Sequence, residues 1–424
     1  MYSSQILAFI ENGGADKRFE ELYGRDAVME QRERYAAAVK SFVSLYGEGE
    51  CRVLSVSGRS EISGNHTDHN KGCVLAASVD VDIIAVVMKT EDNAVHIKSE
   101  GFDEDVCPLD SVPDMSDLRY SSSAIIYGVC DGFKKNGYNV GGFRAYTTST
   151  VLKGSGLSSS AAFEDMVGFI FSVLYNGGSV SDVEIAKISQ YAENQFFGKP
   201  CGLMDQVACA VGGFVFIDFG GEQPKITPVP FDLTAAGYDL CIVNTGGNHA
   251  DLNEDYASMP VEMKSVAALF GKPVLRGLTE DDIISKLPEI REKLGDRAAL
   301  RAVHFIRENN RVNIQRDALL SGDIDTFLSL VKASGDSSYK YLQNVYTTKN
   351  PSEQGLSLAL CMTEGFLKDK RAAHRVHGGG FAGTIQAFVP SELTEDYKNH
   401  MERIFGKNSC SVLHVRAEGT AEII

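Results

Sequence analysis

Hydrophobic and polar positions along this chain switch between two periods, and each switch marks an element. From Ala27 to Tyr46 apolar residues recur about every 3.6 positions with no proline among them, which predicts a helix and gives the first 50 residues a helical character. Arg52-Val53-Leu54-Ser55-Val56-Ser57 alternates and predicts a strand, and the β-branched run Asp80 to Met88 predicts another. Ala161 to Tyr175 is long, apolar and helix-compatible. Val183 to Gln195 predicts a second helix, with Ser181 or Asp182 as its N-cap. Gly213 to Phe219 predicts a strand that ends in Gly220-Gly221.

The stretch Gly221 to Asp232 holds three prolines and no periodicity, so it is the expected domain boundary. Residues 1–228 and 229–424 are the two domains expected on this basis. The second half opens with a strand over 238–243 and continues through helices near 253–270, 280–293, 296–320, 323–333 and 353–367. Strands over 384–389 and 410–416 follow. Strands and helices mix without strict alternation, which fits an α+β layering better than a doubly wound sheet.

Charge and composition narrow the function. The formal net charge is −16 and no Lys/Arg-rich run occurs, which argues against a nucleic-acid partner. An anion site on so acidic a chain needs local help from backbone N–H groups or a metal. The nine cysteines are scattered with no C-x-x-C pair, as expected of reduced, mostly buried thiols in a cytoplasmic protein. The start Met1-Tyr2-Ser3-Ser4-Gln5 does not read as a signal peptide, and no run approaches about 18 uncharged apolar residues, so no membrane partner is expected.

The candidate chemistry begins at Lys153-Gly154-Ser155-Gly156-Leu157-Ser158-Ser159-Ser160. Gly154 and Gly156 let the backbone approach an anion, and a helix starts at about Ser160-Ala161. Free N–H groups and a positive dipole end at a helix start together favour phosphate. The run is not a Walker A loop, because no Gly-Lys pair is followed by Ser or Thr. By itself such a loop is also a common structural device.

Three further segments accompany it. Gly58 to Asn70 crowds polar residues directly after a strand, which a polar ligand would explain. Cys201-Gly202-Leu203-Met204-Asp205-Gln206 sets a lone acid among apolar neighbours, and His377 to Gly383 is a glycine cluster between a helix and a strand.

Together these segments resemble the signature motifs of the GHMP kinases, and within them those of the galactokinase family. The first motif has the form G-R-x-N-L-I-G-E-H-x-D-Y and corresponds to Gly58–His69. The second, G-x-G-L-S-S-S-A, is matched in full at 154–161. The third, G-G-G-F-G-G, is matched at 378–383 with Ala382 for one glycine, and C-G-I-M-D-Q at 201–206 with Leu203 for Ile. Arg301 to His304, Glu308 to Val312 and the region of Glu254-Asp255-Tyr256 also resemble the family, so the likeness runs from about residue 50 to 390.

The resemblance implies a two-domain fold with the active site in the cleft, ATP and Mg²⁺ as cofactors, and galactose as the sugar phosphorylated at C1. It implies Asp205 as the base for the C1 hydroxyl, with Arg59 as its partner. Gly154, Ser155, Gly156, Leu157, Ser158, Ser159 and Ser160 would hold ATP. Ser160 (or Ser159) and Glu193 would hold the metal. Asn65, His66, Asp68, Gly202, Tyr256, Gly379 and Gly380 would line the sugar site. A monomer or weak dimer is expected.

The chain departs from the motif at Glu61-Ile62-Ser63, at Asn65 in place of Glu and at His69 in place of Tyr. An asparagine donates to a carboxylate where a glutamate repels it, so a uronate such as galacturonate is the alternative substrate. A ligand-dependent regulatory protein without catalysis and another GHMP small-molecule kinase are the remaining alternatives. The intact loop with Asp205, Arg59 and Glu193 argues against the first, and the 201–206 segment against the second.

Overall fold

The structure, a computed structural model, describes residues 1–111, 114, 118–151, 156–247 and 252–424. It is built on two antiparallel-rich sheets. The first contains β1 (Arg52–Ser63), β2 (Cys73–Lys89), β3 (Ala94–Ser99), β4 (Glu104–Pro108), β5 (Phe143–Ser149), β6 (Phe214–Asp218) and β7 (Lys225–Val229). The second contains β8 (Tyr238–Asn244), β9 (Ala373–Val376), β10 (Thr384–Pro390) and β11 (Cys410–Leu413), in the order β11-β8-β10-β9. The last strand, β12 (Thr420–Glu422), returns to the first sheet and pairs with β1, which gives the order β12-β1-β2-β5-β3-β4 with β6 and β7 branching from β2.

The mixed helix and strand content bears out the expected α+β class. The long apolar runs have a simple cause: both faces of the first sheet are covered. Val53, Ile84 and Val86 face a layer made by α1 (Ser3–Glu11), α2 (Asp16–Tyr23) and α3 (Val28–Tyr46). Leu54, Ile83, Ala85 and Val87 face the opposite core, with α4 (Ser122–Lys135), α5 (Ser159–Asn176) and α6 (Asp182–Ala192). Between sheet and first layer sits Asp82, fully buried, bonded by Tyr23, Ser55, Arg34 and Arg416. Burial pushes its carboxyl up, but the two guanidiniums outweigh this and hold it low.

Helices α7 (Met204–Val211), α8 (Asn253–Ala268), α9 (Glu280–Ser285), α10 (Leu287–Leu294), α11 (Asp296–Ser321), α12 (Ile324–Ser337), α13 (Gly355–Phe366) and α14 (Thr394–Phe405) complete the fold. The helices expected in the second half form, except that the stretch near 280–293 divides at Lys286 into two, α9 and α10. Ser181 caps α6, its hydroxyl accepting from the Glu184 N–H. Strands β3 to β5 and helix α4 were not legible. The 221–232 stretch, expected to be a linker, instead contains β7, whose Pro228 lies opposite Val215. Proline is tolerated because β7 is an edge strand. All nine cysteines are free. Among the described residues no helix is long and apolar enough to cross a membrane.

Candidate active site

The first motif is not a loop after β1 but its second half. The pairing of β1 with β2 shifts register between Ser57 and Gly58, and the chain then continues as strand through Ser63. A Cβ on Gly58 would stand 3.0 Å from the Leu157 carbonyl, so glycine lets the loop before α5 close on β1. The Arg59 N–H duly donates to Leu157 O at 3.1 Å.

Arg59 then reaches Asp205 with two parallel bonds, Nε to Oδ1 at 2.8 Å and Nη2 to Oδ2 at 2.7 Å. Its Nη1 donates to the Gly156 carbonyl. Asp205 lies in the first turn of α7, where the helix dipole also favours a negative charge. Burial raises its carboxyl, yet the Arg59 charge and bonds, the Ser158 hydroxyl at 2.6 Å and the Lys199 charge bring it below the ordinary value. Asp205 is therefore ionised at neutral pH.

Ser158 is the N-cap residue of α5, but it sits in the left-handed region (φ 58°) and makes no side-chain cap. Its hydroxyl serves Asp205 instead, leaving first-turn N–H groups of α5 free for an anion. Gly156 (φ +75°) and buried Leu157 belong to the same turn. Gly154 and Ser155, with Lys153, lie outside the described residues. Ser159 is half-buried and Ser160 exposed; neither hydrogen-bonds Glu193.

Glu193 starts a π-helical turn, Glu193–Phe197, and is almost fully buried. Its Oε2 accepts from Gln206 Nε2 at 3.0 Å, and its Oε1 pairs with Lys199 Nζ at 3.2 Å. The same Gln206 Nε2 donates to Glu164 Oε2 at 2.9 Å, while Gln206 Oε1 is buried without a partner. Burial, reinforced by the charge on Glu193, pushes the Glu164 carboxyl up to about 8. Among the described residues no three His, Cys, Asp or Glu side chains form a metal cage. Carboxylates crowded beside a loop that could bring phosphate oxygens nonetheless fit Mg²⁺, which takes only one or two protein oxygens.

The residues expected on the sugar side gather around the glycine cluster. The His66 ring nitrogen Nε2 lies 3.0 Å from the Gly379 carbonyl, which can only accept, so Nε2 carries the proton and Nδ1 is the acceptor. Burial and the neighbouring His69 push the His66 imidazole down to about 4, so it is neutral. A Cβ on Gly202 would stand 3.1 Å from Asp68 Oδ2, which places that carboxylate beside the 201–206 segment. Tyr256 donates from its hydroxyl to Gly380 O at 2.7 Å. His69 stacks on His66 with ring centroids 5.6 Å apart and stays partly exposed.

Asn65 corrects an expectation. Its side chain was to line the pocket; instead it is fully buried and saturated by the protein. Nδ2 donates to Gly378 O at 2.7 Å and Glu61 Oε1 at 3.2 Å. Oδ1 accepts from Asn344 Nδ2 at 2.7 Å and Ser338 Oγ at 3.2 Å. An amide has two donors and two acceptor sites, so none is left for a ligand. The departure from the motif is an exchange: acid and amide trade places at 61 and 65, and the displaced carboxylate of Glu61 faces Arg375 Nη2 at 3.5 Å.

Residues given no site role from sequence adjoin it: Glu308 and His304 lie in segments that resemble the family, and Asn344 lies in none of them. Glu308 of α11 accepts from Ser63 Oγ at 3.2 Å and Gly64 N at 3.1 Å, and His304 Nε2 lies 3.0 Å from Asn65 O. Asn344 donates to Gly379 O at 3.0 Å. Glu164 did leave a signal, an acid inside an apolar helical run; Lys199 and Asn344 left none. A cavity of about 590 Å³ lies away from this cluster, between α12, α13 and β9, and a second, of about 520 Å³, borders it at Phe381 and Ala382.

Two family models match the chain. The GHMP kinases N-terminal domain matches residues 124–213, and the galactokinase galactose-binding signature matches residues 40–89. Family model and fold together define a GHMP kinase. Galactokinase of Actinobacillus pleuropneumoniae serotype 3 is 30% identical over 380 residues, covering 88% of this chain and 92% of that protein. Galactokinase of Clostridium tetani is 28% identical over 396 residues, covering 91% and 96%. The crystal structure of Lactococcus lactis galactokinase complexed with galactose superposes with a TM-score of 0.75 at 23% identity, over 92% of this chain and all of that one. The chain belongs to the galactokinase family and is a sugar kinase.

Proposed function

We propose that this chain transfers the terminal phosphoryl group of ATP to the C1 hydroxyl of D-galactose. The observation that carries this reading is Asp205, held ionised by two bonds from Arg59 and one from Ser158 at the turn that opens α5. Asp205 accepts the C1 hydroxyl proton. Phosphoryl transfer asks little of a base and much of positioning, so a carboxylate of lowered basicity suffices. Arg59 orients Asp205 and ties it to the Gly156 carbonyl. Residues 154–160 and the free amides of α5 hold the phosphates. Glu193, with Ser160, would hold Mg²⁺, which would neutralise phosphate charge.

His66, Asp68, Gly202 and Tyr256 face the sugar, and Gly379 and Gly380 shape the wall behind it. Asp68 accepts from ring hydroxyls. Galactose is favoured over galacturonate because the Asn65 amide, which would have greeted a carboxylate, is spent on Gly378 and Glu61. The two domains, 1–228 and 229–424, carry the loop and the glycine cluster respectively, and we read the protein as cytoplasmic and a monomer or weak dimer.

Coupled ADP release over a panel of hexoses, hexosamines and hexuronates tests this. Galactose is expected to give the highest kcat/KM, with galacturonate at least about 100-fold below it, as when a charge enters a site with no partner for it. Equal or better turnover of galacturonate would overturn the sugar assignment.

A further inference from the structure

Lys199 stands where charge is most needed and has no role so far. Its backbone N–H donates to Glu193 O at 3.2 Å, and that of Gly198 to the same oxygen at 3.0 Å, so the base of the side chain is fixed. Its tip is not: the side chain is 60% exposed, and Nζ rests 3.2 Å from Glu193 Oε1. Its charge acts on three acids at once, since it lowers the carboxyls of Asp205 and Glu164 as well as pairing with Glu193.

Among the described residues two other cations are near: Arg59, whose Nε, Nη1 and Nη2 are already committed to Asp205 and Gly156, and Arg119, whose Nε lies 3.6 Å from where a Cβ on Gly198 would stand. Among the described residues Lys199 is thus the ammonium that remains free to turn. A phosphate-bearing nucleotide meets a chain of net charge −16, so a mobile cation at this place matters.

We propose that Lys199 is a further catalytic residue that exchanges partners: it neutralises Glu193 in the metal-free protein and turns its ammonium to the terminal phosphate of the nucleotide when a divalent cation occupies Glu193. The inference rests on the assignment of Glu193 to the metal. No bond is made or broken at Lys199, which keeps its proton throughout and contributes charge alone. A long flexible ammonium suits this better than a guanidinium fixed in a fork.

Lys199→Met and Lys199→Arg test it with two independent readouts. The first is Mn²⁺ binding in the presence of ADP, followed by electron paramagnetic resonance, which needs no turnover. Removing the competing ammonium is expected to tighten Mn²⁺ binding about two- to fivefold, the range set by an exposed ion pair. The second is steady-state turnover: kcat is expected to fall about 100-fold in Lys199→Met with the sugar KM within about threefold, and Lys199→Arg to recover most of it. Because the side chain is exposed, unchanged thermal melting of both variants is expected. Unchanged Mn²⁺ affinity, or a kcat within about threefold of wild type, overturns the proposal. If the wild-type chain releases no ADP with any sugar, the substrate reading fails instead, and the Mn²⁺ titration still decides whether Lys199 holds Glu193.

Discussion

Replacing Glu308 by glutamine probes how the first motif is held in place. The carboxylate is fully buried and accepts from Ser63, Gly64 and Ser334, with Arg311 on its other oxygen. Burial pushes it up, but Arg311, His304 and Arg375 outweigh burial and hold it down to about 2. Against 4.5 in the unfolded chain, that difference contributes about 3 kcal/mol at neutral pH. The folded value is the lower one, so the contribution is complete above the unfolded value and is lost as pH falls towards the folded one. About 2 kcal/mol should remain near pH ~3.5.

Glu308→Gln lacks this term and leaves Arg311 without its counter-charge. Urea unfolding of both proteins, followed from neutral pH to about pH 3.5, should show the variant about 3 kcal/mol less stable at neutral pH, with the gap narrowing by about 1 kcal/mol on acidification. A deficit below about 1 kcal/mol, or one that ignores pH, would refute the reasoning. The kinetic counterpart is a sugar KM that rises more than kcat falls, since Gly64 and Ser63 set the course of the chain into His66 and Asp68.

Other outcomes follow from the same geometry. Asp205→Asn should lower kcat about 10³-fold while nucleotide binding, followed by calorimetry, stays within about threefold; retention of a tenth of the activity would remove Asp205 from the role of base. Gly380→Ala places a Cβ 2.0 Å from the Asn344 carbonyl at a φ of +84°, so the sugar KM should rise about tenfold or more while the ATP KM holds. The pH profile of kcat/KM should show no limb near the ordinary histidine value, because His66, held down to about 4, is neutral throughout the physiological range. A limb near about 6.5 would mean that a histidine titrates in the free enzyme.

Much of this was legible because it is local. Helix periodicity from Ala27 to Tyr46 and across the second half survived folding, and so did the cap at Ser181. The pairing of Arg59 with Asp205 was readable from motifs alone, though the residues stand 146 positions apart. What escaped depends on neighbours distant in sequence. Pro228 disguised β7, because only the sheet reveals that it is an edge. Asn65 looked like a ligand contact until Asn344, Ser338 and Gly378, each more than 270 positions away, were seen to consume it. Ser158 was read as part of the nucleotide loop and donates to Asp205 as well.

The pairing of β12 with β1 binds segments 370 positions apart, as Arg52 and Glu422 show. Separating the chain near residue 228 would strip β1 of that partner and expose a row of unpaired N–H and C=O groups beside an apolar sheet, the usual seed of edge-to-edge aggregation. The strand that carries Arg59 is thus completed by the half of the molecule that carries the glycine cluster. A chimera that takes one half from a relative therefore has to match this seam as well as the cleft residues.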